Sequence, residues 1–510
     1  MRVALGALLV VLASSQSLAS ASFTGLGDLP GGASLSFARD VSANGQVVVG
    51  HSESASGTEA FRWTASGGMV GLGDLAGGTF FSIAYAANND GSVVVGSGDS
   101  GLGSEAFHWT QAAGMQGLNP VPLTLDGLTG GASGVSGDGN LVVGSMFPPT
   151  SSSCFLGDAF TWTPGGGLVN TCTALPVSFL NRVENRRVST DGSAVVGSWL
   201  FEGDPEPTVI RNWSEVESEN PILPPAQPIP GMGLGISADG LVVVGESPSF
   251  GAFRWHENEG VAESLGDLSG GTVAATPWDV SGDGLVVVGT SDASTGCQPL
   301  LSGGETSGCE AFIWNVVELM RPLRDVLEDD YGLDLTGWTL AQATAISDDG
   351  LRIVGVGTNP SGEVEAWLAV LPPACDDGLD NDGDGLADLS DPGCAGATDV
   401  SERMVFTCDN GIDDDGDGKR DFRADGSGDI GCKRPTWRED PQCQDGVSND
   451  GDGLIDFDGG LSAGAPQPTA PDPQCSSSFD NREAPAPSCG IGFELVLVLL
   501  GGMAWRRRSR

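Results

Sequence analysis

The sequence predicts an all-β fold, a seven-bladed β-propeller closed by its N-terminal strand, and three observations predict it. A β-branched run ending in glycine returns seven times, with a second glycine five positions earlier. The pairs are Gly45/Gly50, Gly91/Gly96, Gly139/Gly144, Gly192/Gly197, Gly240/Gly245, Gly284/Gly289 and Gly350/Gly355, and they recur every 44 to 66 residues, the interval of a repeat architecture. An aromatic pair with one residue between follows in most units. The repeat is also out of phase at its ends: fourth-strand sequence precedes the first unit, and the last unit stops after its third strand.

The chain begins with Arg2, a short apolar run from Val3 to Leu12 and the small-x-small sequence Ala19-Ser20-Ala21. The run is too short to span a membrane, and the pattern is that of a secretory signal peptide over residues 1–21, cleaved after Ala21.

Residues 22–373 hold the repeats. In Asp40–Leu75, four short pieces rich in β-branched or aromatic residues are bounded by Gly, Asn, Asp or Ser, which are strand and turn signals. Asn-Gly or Asp-Gly usually precedes the valine run and suits a tight turn with positive φ. Four strands in about 45–50 residues make one blade. The pairs Phe61/Trp63, Phe107/Trp109, Phe160/Trp162, Phe253/Trp255 and Phe312/Trp314 place two rings on one face of a strand, where they pack against the next blade. A carbohydrate-stacking row is the alternative. The fourth unit is degraded to Ile210-Arg211-Asn212-Trp213, and the seventh moves tryptophan into the phenylalanine slot as Trp367. Phe23–Leu29 supplies the strand that the seventh unit lacks, so pairing them closes the ring and hides two edges. An open solenoid is the alternative.

The units LGDLPGG, VSANGQVVVG and EAFRW resemble HAF-type extracellular repeats of bacterial secreted proteins, over roughly residues 23–371. The resemblance implies an exported β-repeat protein and carries no assigned chemistry. The His-Ala-Phe of that family mostly reads Glu-Ala-Phe or Gly-Ala-Phe here.

Residues 374–483 are acidic. From Cys375 to Glu483 there are 27 Asp and Glu against 8 Lys and Arg, a net of −19. Three loops space carboxylates at alternate positions around a glycine, a pattern that points several oxygens at one hard cation. The ligands predicted for Ca2+ are Asp380, Asp382, Asp384, Asp388 and Asp391 in the first loop, Asp413, Asp415, Asp417 and Asp421 in the second, and Asp450, Asp452 and Asp456 in the third. Oxygen-only donors favour calcium, and an acidic disordered stalk is the alternative. The loops are similar to thrombospondin type 3 calcium repeats and to Cys-flanked modules of bacterial surface proteins.

Ten of eleven cysteines fall into sequence neighbours, Cys154/Cys172, Cys297/Cys309, Cys375/Cys394, Cys408/Cys432 and Cys443/Cys475. Five local disulfides are expected in an oxidising compartment, although spacing alone does not prove connectivity. The eleventh, Cys489, opens residues 484–510, where an apolar run from Ile491 to Trp505 ends in Arg506–Arg510. This tail resembles C-terminal sorting signals of the PEP-CTERM, GlyGly-CTERM and myxobacterial types. The resemblance implies processing at Cys489 by sorting machinery and a protein held at the bacterial cell surface. A simple transmembrane anchor is the alternative.

The formal net charge of −45 argues against nucleic acid as a partner. The histidines His51, His108 and His256 occupy different repeat phases, and no catalytic motif is present. The expected function is a non-catalytic propeller on a calcium-stabilised stalk, binding a protein or glycan at the cell surface. The alternative is a secreted propeller glycosidase or lyase using carboxylates in loops such as Glu202–Glu219 and Ser291–Glu310.

Overall fold

The computed structural model describes residues 20–118, 129–147, 158–170, 180–201, 208–209, 231–247, 251–257, 262–268, 275–292, 308–315, 319–381, 383–394, 396–397, 402–403, 408–409, 422–424, 426–428, 432, 434, 454, 471 and 475. Two compact units divide the chain. One holds Met1–Asp382 and Leu386–Glu402, the other Gly383–Gly385 and Arg403–Arg510.

The first unit is built from strands in meanders. Ser22–Gly25 (β1) precedes Gly31–Val41 (β2), Val48–Ser54 (β3), Gly57–Thr64 (β4) and Gly68–Gly71 (β5). Then come Gly77–Ala87 (β6), Val93–Ser100 (β7), Gly103–Thr110 (β8) and Gly114–Gly117 (β9), followed by Thr129–Val135 (β10), Val142–Phe147 (β11), Asp158–Thr163 (β12) and Gly167–Asn170 (β13). Leu180–Val188 (β14), Val195–Phe201 (β15) and Thr208–Val209 (β16) form a shorter group. Met232–Ile236 (β17), Val242–Ser247 (β18), Gly251–His256 (β19) and Ala262–Ser264 (β20) lead to Ala275–Val280 (β21), Val286–Asp292 (β22), Cys309–Asn315 (β23) and Leu319–Pro322 (β24). Thr339–Ile346 (β25), Arg352–Thr358 (β26) and Val364–Val370 (β27) complete the set.

These strands make four sheets of four strands, one of three, and one of eight that runs β25-β26-β27-β2-β3-β4-β5 with β1 on β27. In the eight-stranded sheet, β2 and β27 meet through the single parallel pair Leu35 and Val364. By contrast, β1 lies antiparallel on β27 over four residues, from Ser22 opposite Val370 to Gly25 opposite Trp367. The architecture is an all-β propeller, with successive meanders packed face to face.

Both glycines of each pair have a packing or conformational cause. The first sits in the turn between the first two strands of a meander, as Gly45 does at φ 69°, a region costly for residues with a Cβ. The second, in Gly96, Gly144, Gly245, Gly289 and Gly355, lies under an aromatic ring. A Cβ on Gly96 would come 2.0 Å from the Ile83 carbonyl and 2.8 Å from the Phe107 ring, and one on Gly355 would come 2.0 Å from the Gln342 carbonyl and 2.3 Å from Trp367. Phe61, Phe107, Phe160, Phe253, Phe312 and Trp367 are 0% exposed, and burial of one such ring contributes about 2–3 kcal/mol. Phe107 packs with Val49 and Ala60 of the preceding meander. Trp367 packs with Val288 and Ala311 of β22 and β23 in the same way. Trp63, Trp109 and Trp162 flank these clusters, partly buried.

The turns are joined to one another. Asn44 N–H donates to Asn89 O, Asn89 to Gly137, Gly137 to Thr190, Asp191 to Ala238, Ala238 to Gly282, Gly282 to Asp348, and Asp348 back to Ala43. Seven turns thus form a closed cycle of backbone hydrogen bonds. Each turn is braced by its own side chains: Ser136 Oγ donates to Asp138 Oδ1 at 2.6 Å and accepts the Leu141 N–H at 3.0 Å.

The repeat pattern did not foresee the helical turn Leu323–Asp325, which continues into Val326–Asp330. Its apolar spacing puts Leu323, Val326 and Leu327 into the cluster that holds Trp367. Arg321 pairs with Asp330 through two hydrogen bonds, at 2.7 and 2.9 Å. The expected fourth-unit segment 210–213 lies outside the described residues.

Gly355→Ala should cost about 2–3 kcal/mol of unfolding free energy, whereas Gly165→Ala, with nothing within 4 Å of its Cβ position, should cost little. Chemical denaturation of the two variants checks the difference.

Candidate functional site

The first strand of every meander carries a β-bulge. Register shifts fall between Ala38 and Asp40, Ala84 and Ala86, Ala132 and Gly134, Asn185 and Arg187, Gly233 and Gly235, Pro277 and Asp279, and Ala343 and Ala345. A bulge re-aims the side chains beside it. The residue two before each turn serine or asparagine is therefore Asp40, Ala86, Gly134, Arg187, Gly235, Asp279 or Ala345. Three of these are charged and they meet. Arg187 Nη1 lies 2.8 Å from Asp40 Oδ1, and Arg187 Nη2 lies 3.9 Å from Asp279 Oδ2. Strands β2, β14 and β21 are not neighbours in any sheet, so side chains that meet from all three place these strands around the propeller axis. Small residues at the other four positions leave room for the Arg187 side chain.

Each carboxylate also binds backbone of the following meander. Asp40 Oδ2 accepts the Ala87 N–H at 2.9 Å, and Asp279 Oδ2 accepts the Ile346 N–H at 3.1 Å. Burial pushes the Asp279 carboxyl up to about 6; Arg187 opposes this, and the charge of Asp40 reinforces it. The guanidinium of Arg187 is held above its ordinary value by Asp279 and Asp40, against its own desolvation. Sequence reading missed this trio because the charges occupy one slot in only three repeats. The available signal was that the other four repeats have only Ala or Gly there.

Other polar repeat residues are engaged in packing the repeats together. The glutamate of Glu-Ala-Phe, and of Glu-Ala-Trp in the seventh unit, binds backbone: Glu59 Oε1 accepts the Gly73 N–H at 3.0 Å, and Glu365 Oε1 accepts the Gly27 N–H at 2.9 Å. The residue between the two rings reaches the next turn. Arg62 Nε donates to Gly91 O and Arg254 Nε to Gly284 O, both at 2.9 Å. His108, in the same slot, lies 5.2 Å from the Trp162 ring, and burial lowers its pKa. His51 stacks on Phe37, with centroids 4.7 Å apart, and His256 is buried at the end of β19.

In the acidic region, Cys375 pairs with Cys394 and Cys408 with Cys432, at Cα separations of 5.7 and 5.6 Å. Cys309 and Cys475 are disulfide-bonded; their expected partners Cys297 and Cys443 lie outside the described residues, as do Cys154 and Cys172. The loop after Cys375 is organised by Glu402, which the sequence reading passed over. Glu402 is 1% exposed, and its two oxygens accept the Asn381 and Asp388 N–H groups, each at 2.6 Å. Asp388 Oδ1 accepts the Gly378 N–H at 2.9 Å, and Asp391 Oδ1 accepts the Gly393 N–H at 2.5 Å. Burial, with the charge of Asp388, raises the Asp377 pKa. Asp384 is buried in the second unit. Among the described residues no three His, Cys, Asp or Glu side chains converge as a metal site. Asp382, Asp413, Asp415, Asp417, Asp421, Asp450, Asp452, Asp456 and Cys489 lie outside the described residues. Ala21 directly precedes β1. Among the described residues no helix is long and apolar enough to cross a membrane.

No family model matches the chain, and no curated protein matches it. Solved structures similar to it include TolB proteins and a lyase. A TolB of Agrobacterium tumefaciens aligns at 14% identity and a TM-score of 0.32, over 66% of this chain and 91% of that one. The oligogalacturonate lyase of Vibrio parahaemolyticus aligns at 10% and 0.41, over 70% and 98%. TolB of Acinetobacter baumannii aligns at 9% and 0.30, over 64% of each chain. Likeness at this level carries no argument about chemistry.

The axial trio makes a pH prediction. The folded pKa of Asp279 is above its ordinary value, so between about pH 4 and 6 the native state holds a proton that the unfolded state has lost. Stability from this group therefore falls as pH rises through that window, by up to about 3 kcal/mol. Asp279→Asn should remove that component, and thermal unfolding from pH 4 to 6.5 should show a flatter profile than the unsubstituted protein.

Proposed function

We propose that this chain is an exported, surface-held, non-catalytic binding protein. In this reading a seven-bladed propeller presents its loops to a protein or glycan, and the acidic region that follows it in sequence is ordered by calcium. The observation that carries the binding reading is where the repeated polar residues go. Glu59, Glu365, Arg62 and Arg254 are all used to join strands and turns. Identical chemistry in every repeat serves the scaffold, which leaves the unlike loops to carry specificity. The count of seven is supported by the cycle of turns and by the single pair Leu35–Val364 that joins two meanders into the eight-stranded sheet.

Calcium is supported by donor chemistry. Asp377, Asp380, Asp388 and Asp391 offer only oxygen within a segment pinched by the Cys375–Cys394 disulfide, with the Glu402 carboxylate bonded to its backbone, and the mutual repulsion of Asp377 and Asp388 is what a hard cation would relieve. Export and surface retention are supported by the residue 1–21 pattern and the basic-ended tail.

A second reading, a secreted propeller glycosidase or lyase, has one observation in its favour. Glu310 has its pKa raised by burial and by the charge of Asp325, and such coupled carboxyls suit acid–base chemistry.

A glycan array probed with the full protein in calcium, followed by product analysis of any bound glycan, separates the readings. Binding without turnover is expected, and product that disappears in Glu310→Gln would replace binding with catalysis. For the acidic region, about 5 mM calcium, above the usual extracellular affinity range, should protect residues 375–475 from proteolysis relative to chelator. Equal cleavage would remove calcium from the account.

A further inference from the structure

Among the described residues, Arg39 of the propeller has no acid set against it. Arg39 is the bulge residue of β2, next to Asp40, but the ion pairs of the axis go to Arg187. Its Nε is buried and lacks an acceptor among the described residues. Its guanidinium carbon lies 5.8 Å from the centroid of the Phe37 ring, and that ring stacks on His51. The Nδ1 of His51 is likewise buried without a partner among the described residues. Burial first, then the charge of Arg39, lowers His51 to about 3, so its imidazole is neutral at neutral pH. Tyr85, the bulge residue of β6, lies close enough to interact electrostatically with Arg39.

Two buried polar atoms without partners among the described residues, each on a group packed against the Phe37 ring, are costly, and one acceptor that reaches both would satisfy them. We propose that Arg39, His51 and Tyr85 form an anion site beside the propeller axis that takes a small monocarboxylate. A carboxylate matches the guanidinium fork, and a neutral imidazole in its Nδ1–H form and a phenol each add one donor. One positive charge faces the ligand, while Asp40 and Asp279 outnumber Arg187 next door, which disfavours a dianion such as phosphate. The Phe37 ring offers an apolar flank to the carbon skeleton of the acid. This site is separate from the loops proposed above to bind a protein or glycan, and it stands or falls without them.

The chain has three histidines, so 13C labelling of histidine gives three side-chain signals. Titration of the full protein with acetate, lactate or benzoate should shift the His51 signal saturably and leave His108 and His256 in place. Arg39→Met should weaken the binding at least about tenfold and Tyr85→Phe about threefold, with an unmoved His108 signal reporting the intact fold. If Arg39→Met loses that signal, Tyr85→Phe decides. No His51 shift with any of the three acids, affinity unchanged in the variant that decides, or phosphate binding as tightly as the acids would overturn the proposal.

Discussion

A ring of sheets holds only if its last edge is paired. Val364–Val370 presents one row of backbone groups to β26 and a second row outward, and Ser22–Gly25 takes up that second row. The join is reinforced beyond the strand itself. Leu26 N–H donates to Ala366 O at 2.9 Å, Gly27 N–H reaches Glu365, and Ser36 Oγ accepts the Ala366 N–H while donating to Gly27 O. Phe23 fills the space between Trp338 and Trp367, with ring centroids 5.1 and 5.8 Å away. Residues more than 300 positions apart are thus held by the same contacts that elsewhere join neighbours, as Leu72 N–H to Ala60 O and Ser82 Oγ to Gly73 O show.

That closure gives the axis its character. Once the first strands are held in a circle, their bulges turn one slot of every repeat toward the centre, and a charge there must find its counter-charge across the ring. Asp40, Arg187 and Asp279 do so, and the cycle of turn hydrogen bonds keeps them in register. Arg39 stands beside this trio, and among the described residues no counter-charge is paired with it.

The repeat was legible in the sequence because each of its marks has a local cause. The first glycine of a pair answers to a turn, the second to the ring above it, and the phase of Phe23–Leu29 answers to an unpaired edge. The axial trio was not legible, because pairing across the ring leaves no trace at any fixed spacing. The helical turn at Leu323–Asp330 was hidden by its length, too short for periodicity to stand out from flanking strand sequence. Of the first acidic loop, the alternating carboxylates were plain, but Glu402, which ties Asn381 and Asp388 together, lies outside the loop pattern. The charge of the region was readable from composition; which side chain organises it was a matter of fold.

The central claim is that the N-terminal strand is an integral part of the last meander. Native-state hydrogen exchange tests it most directly, by comparing the amides of β1 and Leu26 with those of β27. The account predicts that the two sets exchange at the same slow rate, opening only with the whole propeller. Fast exchange in residues 22–26 while 364–370 stay protected would contradict it.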